Sequence, residues 1–243
     1  MWKMKIGKVG DYMKKIVGIV VAMDEEYEAI ANIMTATEKV QVYDLEFLKG
    51  KIKGRECILV KSGIGKVNAA RATQVMLDKF AIEYVINTGA AGAVNSRLNV
   101  GDVVLGKHVV QHDFDITAFD HSKGYITGIG DNIQCNRDLI DEFDHIIKGL
   151  PERKYTIKLG VVATGDIFCT EPLMKDKIFA KFDADVVDME CGAIAQVCYL
   201  CDVPFMTIRC VSDSPNGNNA SDFDENIDLA SKRCANLVRD FLT

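Results

Sequence analysis

The chain has 243 residues, 48% of them hydrophobic and 26% charged, with a formal net charge of -6. That balance describes an ordinary globular protein, long enough to bury roughly 70–75% of its unfolded surface. Its acidity and lack of a basic cluster argue against sequence-independent nucleic-acid binding, which needs a basic face to neutralise phosphates.

Residues 1–13 lack hydrophobic periodicity and precede Met13-Lys14-Lys15, a plausible second start, so they read as an extension or expression remnant. Residues 14–243 read as one domain, since no Pro/Ser-rich stretch marks a boundary. A first strand is expected at about 15–22. Its apolar run is far shorter than the ~20 residues of a membrane span. It leads into Asp24-Glu25-Glu26 and not into a small-residue cleavage site, so neither an anchor nor a signal peptide is expected.

A helix follows, with Tyr27, Ile30, Ile33 and Met34 on its apolar face. Two strand-like runs come next, Val42-Tyr43 to Phe47-Leu48 and Cys57 to Val60, with turns expected at Lys49-Gly50 and Lys53-Gly54-Arg55. Beyond Ser62-Gly63-Ile64-Gly65-Lys66 the pattern predicts a helix over about 67–80 and a strand at Tyr84-Val85-Ile86-Asn87. Further strands are expected at 102–110 and 157–163, and helices near 136–148, 172–181, 190–201 and 223–242. The last helix is expected to start at a capping-box-like Asp222-x-x-Glu225. The alternation of short apolar runs with amphipathic stretches is α/β.

Eight cysteines lie mostly inside apolar patterns, with no disulfide-scaffold spacing, which points to packed free thiols and a reducing cytoplasm. Cys198-x-x-Cys201 lacks the second ligand pair a zinc site needs. His112-Asp113-x-Asp115 likewise has no second motif, so no metal is expected. Gly63-x-Gly65 lacks the third glycine and the acidic strand end of a dinucleotide fingerprint, so no cofactor is expected. Gly89-Ala90-Ala91-Gly92 fits either a ligand approaching backbone amides or a tight turn against a helix.

The most informative positions are strand ends. Asp188-Met189-Glu190 follows the run Asp185-Val186-Val187, and Ser212-Asp213 ends the run from Pro204 to Val211. Open α/β sheets keep their ligand crevices at such carboxyl ends. Asp24-Glu25-Glu26 also follows a buried strand. Acids in a first helical turn can simply complement the dipole, but Glu26, Glu190 and Asp213 could also converge on one crevice as an acid/base set.

Taken in order, Ala22-Met23-Asp24-Glu25-Glu26, Ser62 to Ala70, Asn87 to Gly92, Val100 to Val104, His112-Asp113 with Thr117-Ala118-Phe119, Thr164-Gly165-Asp166-x-Phe168, Asp188-Met189-Glu190 and Val211-Ser212-Asp213 strongly resemble the 5'-methylthioadenosine/S-adenosylhomocysteine nucleosidases. The resemblance spans about 15–242. It implies a nucleoside phosphorylase-like, single-domain three-layer sandwich with a central mixed, twisted sheet, acting as a homodimer on the N-glycosidic bond of adenine thionucleosides.

On that resemblance, Glu26 would activate the attacking water, and Asp213, helped by Ser212, would protonate purine N7. Glu190 would bind the ribose hydroxyls with Met189 beside the sugar, Phe168 would stack on adenine, and the Cys169 backbone would read its edge. Ile64, Ala91, Gly92, Asp188 and Arg209 count as substrate-contacting positions, and Phe223 as a lid or, more simply, the staple of its helix. Phe119 would cover the 5' substituent across the dimer interface. The chain departs from the family pattern at His121, Thr127, Asp188 and Cys191.

Three competing readings remain. A phosphorylase on the same fold would need anion contacts such as Arg71 or Arg209, and the acidic Asp24-Glu25-Glu26 would repel phosphate. A futalosine hydrolase would differ at the 5' end. A non-catalytic nucleoside-binding protein would have no need of a water-activating base.

Overall fold

In the computed structural model, which describes residues 16–215 and 219–243, the first strand is β1 (Ile16–Val21). The proposed extension, residues 1–13, lies outside the described residues. Strands β4 (Arg55–Lys61), β5 (Ile82–Ala93) and β10 (Phe205–Asp213) join β1 in a parallel core ordered β4-β1-β5-β10. Their near-continuous apolar runs follow from burial on both faces.

On one side, β3 (Leu45–Ile52) and β2 (Thr35–Val42) extend the sheet antiparallel beyond β4. On the other, β10 pairs antiparallel with β6 (Val103–Gln111), β6 parallel with β8 (Ile157–Thr164), and β8 parallel with β9 (Val186–Asp188). The end of β5 pairs back with β9 at Gly92 and Ala93, so five strands close into a ring. A short β7 (Ile133–Gln134) pairs with β6.

Two groups of helices flank the sheet. α1 (Asp24–Ala31), α3 (Arg137–Lys148) and α6 (Asn219–Phe241) pack together, with α6 against β5 and β10. α2 (Lys66–Lys79) packs with α5 (Cys191–Leu200), and α4 (Pro172–Phe182) lies by β8. Local chemistry explains several boundaries. Asn136 caps α3 by accepting the Leu139 amide at 3.0 Å, and Pro172 opens α4, where its missing N–H is not needed.

Several sequence expectations need correction: α1 ends at Ala31, so Ile33 and Met34 lie beyond it, and Gly89-Ala90-Ala91-Gly92 is no turn but part of β5. Lys49-Gly50 is not a turn but the middle of β3, where a Cβ on Gly50 would meet the Thr35 carbonyl at 2.9 Å. The hairpin turns instead at Tyr43-Asp44, with Tyr43 at φ +57°. Asp222 and Glu225 do not start α6 but sit inside it, where the Asn226 side chain donates to the Asp222 carbonyl at 2.6 Å. All eight cysteines are free thiols, and only Cys201 is exposed. Among the described residues no helix is long and apolar enough to cross a membrane.

Candidate active site

The carboxyl ends of β1, β5 and β10 open on one cavity. Glu26, Glu190 and Asp213 all line it, although they stand far apart in sequence. Backbone amides hold Glu26 and Glu190, and side chains hold Asp213.

Glu26 lies in the first turn of α1, just beyond β1. Its Oε2 accepts the amides of Ala22 (2.8 Å) and Met23 (3.1 Å), and its Oε1 accepts the Ala90 amide at 2.9 Å. This approach requires glycine at the neighbouring position: a Cβ on Gly89 would lie 2.1 Å from Oε1. Burial pushes the carboxyl above the ordinary glutamate value, while the Arg209 charge and the three amides pull the other way.

Glu190 stands at the start of α5 with its side chain turned away from the helix amides, and its Oε1 accepts the Gly65 amide at 2.9 Å. Gly65 has φ +98°, a conformation glycine adopts without steric cost. Burial first, and the Asp188 charge second, push Glu190 up to about 7, against the opposing Arg209. Met189 lies beside it in the lining.

Asp213 follows a register shift between Val211 and Asp213 where β10 pairs with β5, an irregularity of the kind that re-aims a side chain. Ser212 is fully buried, and its hydroxyl donates to Asp213 Oδ1 at 2.9 Å. Asp213 Oδ2 accepts the ammonium of Lys175, from α4, at 2.8 Å. Lys175 carried no signal in the sequence, because a lysine on an amphipathic helix normally marks the solvated face.

Opposite the acids the wall is apolar. Ile64, Ala91, Gly92, Phe168, Cys169 and Phe223 contribute to it. Phe168 and Phe223 meet edge to face, with ring centroids 5.7 Å apart at 85°. Phe168 stays 44% exposed and so offers a ring to a ligand.

Two expected positions lie elsewhere. Arg209 does not line the cavity. It is buried beneath the floor, where Nη2 donates to Asn87 Oδ1 at 2.6 Å and to Asp188 Oδ2, and Nη1 reaches the Ala90 carbonyl at 3.4 Å. Asp188 lines the cavity, but its oxygens are occupied by Arg209, the Thr164 hydroxyl (2.5 Å) and the Cys191 amide (2.9 Å). Phe119, in a 3-10 turn at Thr117–Phe119, is 74% exposed and absent from the lining. The other suggested anion contact, Arg71, is on the surface, paired with Asp44.

Asp113 serves a different purpose. Asp113 accepts Lys66 Nζ at 2.7 Å and the Asp166 amide at 2.9 Å, and Asp166 in turn accepts the Lys66 amide at 2.8 Å. This clasp ties the Gly65 turn to the loop that carries Phe168. Among the described residues no group of three or more His, Cys, Asp or Glu is placed to hold a metal ion.

The closed mixed sheet and its acid-lined, apolar-walled cleft define a protein of the phosphorylase superfamily, whose family model matches residues 16–243. A 5'-methylthioadenosine/S-adenosylhomocysteine nucleosidase of Geobacillus sp. (strain WCH70) is 38% identical over 91% of this chain and 95% of its own length. Its Staphylococcus aureus (strain JH9) counterpart is 37% identical over 92% and 97%. The solved Neisseria meningitidis nucleosidase, in complex with methylthio-immucillin-A, superposes with a TM-score of 0.89 at 33% identity, covering 93% of this chain and 98% of that one. A futalosine hydrolase of Helicobacter pylori also superposes at 0.89, with 28% identity over 95% and 98%. The chain belongs to the 5'-methylthioadenosine/S-adenosylhomocysteine nucleosidase family.

Proposed function

We propose that this protein hydrolyses the N-glycosidic bond of 5'-methylthioadenosine and S-adenosylhomocysteine, giving adenine and the corresponding thioribose. The observation that carries the reading is the placement of Glu26 and Asp213 on the lining of one apolar cavity, each fixed by hydrogen bonds.

Adenine leaves poorly as an anion. Asp213, oriented by Ser212, protonates purine N7 as the C1'–N9 bond lengthens, and positioned proton transfer of this kind typically contributes ~10²–10⁴ in rate. The sugar becomes oxocarbenium-like, and Glu26 takes a proton from the water that attacks C1'. Glu190 holds the ribose hydroxyls, with Met189 packed beside the sugar. Phe168 stacks on the base, the Cys169 backbone reads its edge, and Phe223 closes over it.

Water is favoured over phosphate as the nucleophile because the cations near the site are already committed. Arg209 is paired with Asp188, Lys175 with Asp213, and Lys66 with Asp113. A phosphate dianion would meet three carboxylates, and among the described residues the guanidinium nearest the cavity, Arg209, is already paired. The likeness to a futalosine hydrolase supports testing futalosine as an alternative substrate.

The dimer implied by the family is supported by the exposed Phe119, Ile64 and Val67, with Phe119 covering the partner's 5' pocket. A cytoplasmic location is supported by the free thiols. The test is adenine release by Glu26→Gln and Asp213→Asn. Each is expected to lose at least ~10²-fold in turnover with the fold intact, and near wild-type rates in either would refute its role.

A further inference from the structure

We infer that Lys175 positions Asp213 and holds the proton that Asp213 passes to the departing base, an inference that rests on the hydrolytic reading above. Lys175 and Asp213 form an ion pair at 2.8 Å with side chains only 1% and 3% exposed. Lys175 also donates to the Ser214 carbonyl at 3.2 Å, so its ammonium straddles the end of β10.

The hydrogen bonds explain why an acid here needs a partner. Both oxygens of Asp213 accept, Oδ2 from Lys175 and Oδ1 from Ser212. An ionised carboxylate is acceptor-only and has no proton to give. The ammonium beside it carries one. The Ser212 hydroxyl has a second acceptor in the Ala91 carbonyl at 3.3 Å, so it can follow a change of charge on Asp213 without being left unpaired.

In the step, the Lys175 N–H bond breaks and an O–H bond forms on Asp213, whose carboxyl proton passes to the purine nitrogen. The electrons of the glycosidic bond stay with the purine. The attacking water gives its proton to Glu26, which releases it to solvent, and the Lys175 amine regains one from solvent. No oxidant or reductant is involved.

Among the described residues, the titratable groups near the pair include Cys169. The Cys169 thiol is pushed up to about 11, chiefly by burial, and so is uncharged at lower pH. Glu26 and Glu190 share the same cavity lining.

The test compares kcat and KM for methylthioadenosine across pH in wild type, Lys175→Met and Lys175→Arg. Wild-type adenine release without phosphate, measured in the same series, establishes hydrolysis first, so a failed inference is told from a failed reading. Lys175→Met is expected to lose ~10²-fold in kcat at about pH 8, with KM changed less than about threefold. Its deficit should shrink on acidification, where solvent replaces the lysine as proton source. Arginine keeps the ion pair but does not give up a proton at accessible pH, so Lys175→Arg should do no better than Lys175→Met at alkaline pH. Near wild-type kcat in Lys175→Arg, or a loss in Lys175→Met that is the same at every pH, would overturn the inference. Should Lys175→Met fail to melt cooperatively, the Lys175→Arg profile decides.

Discussion

Arg209 and Asp188 form a buried ion pair at the floor of the candidate active site, linking β10 to the end of β9. The same guanidinium reaches Asn87 and the Ala90 carbonyl. It is therefore a fixed positive charge behind Glu26 and Glu190, and it opposes the burial that drives both of them toward the neutral form.

Breaking that pair should be costly, because it leaves one buried charge without its partner. Arg209→Leu is expected to destabilise the protein by about 3–5 kcal/mol. The double variant Arg209→Leu/Asp188→Asn should recover part of this, since the orphaned charge is gone. Urea titrations of the three proteins check it; a double variant less stable than Arg209→Leu would refute the account.

Ser212→Ala removes a hydroxyl that donates to Asp213 at 2.9 Å in a fully buried site. A hydrogen bond to a charged group is worth about 1.5–3 kcal/mol, so kcat should fall by roughly 10–100-fold. Steady-state kinetics would show this, and an unchanged kcat would mean that Ser212 does not orient the acid.

Gly89→Ala places a methyl 2.1 Å from Glu26 Oε1. The carboxylate must then move off the Ala90 amide. Turnover should drop at least ~10²-fold, as for loss of the proposed base Glu26, with overpacking costing about 1–3 kcal/mol of stability. A variant with normal kcat would show that the grip on Glu26 is not needed.

How far these positions were legible in the sequence differs case by case. The parallel core was readable because strands buried on both faces leave unbroken apolar runs, and Glu26, Glu190 and Asp213 stood out because each interrupts such a run at its end. β2 was not, since most of its residues are solvated and only Val40-Gln41-Val42 alternates. Gly50 looked like a turn residue, but its small size serves the close approach of β2. Ring closure through Gly92, Ala93 and the three-residue β9 depends on long-range pairing that no local pattern encodes. Lys175 was hidden for the same reason: its carboxylate partner is 38 residues away, on another element.

The pH dependence of stability follows from Glu190, whose folded value of about 7 stands above the ordinary 4.5. Between those values the native state holds a proton that the unfolded chain has lost, so stability should fall as pH rises from about 4.5 to about 7. Glu26, raised in the same direction, adds to the slope. Thermal melts of wild type and Glu190→Gln across this window test it. The variant should show a flatter dependence, and identical slopes would contradict the assignment.

The central claim is that water, and not phosphate, attacks the sugar. The most direct measurement is to run methylthioadenosine cleavage in ¹⁸O-labelled water with phosphate present and identify the sugar product by mass. Free methylthioribose carrying the heavy oxygen, with adenine released in equal amount, is the predicted result. A methylthioribose 1-phosphate product would contradict it.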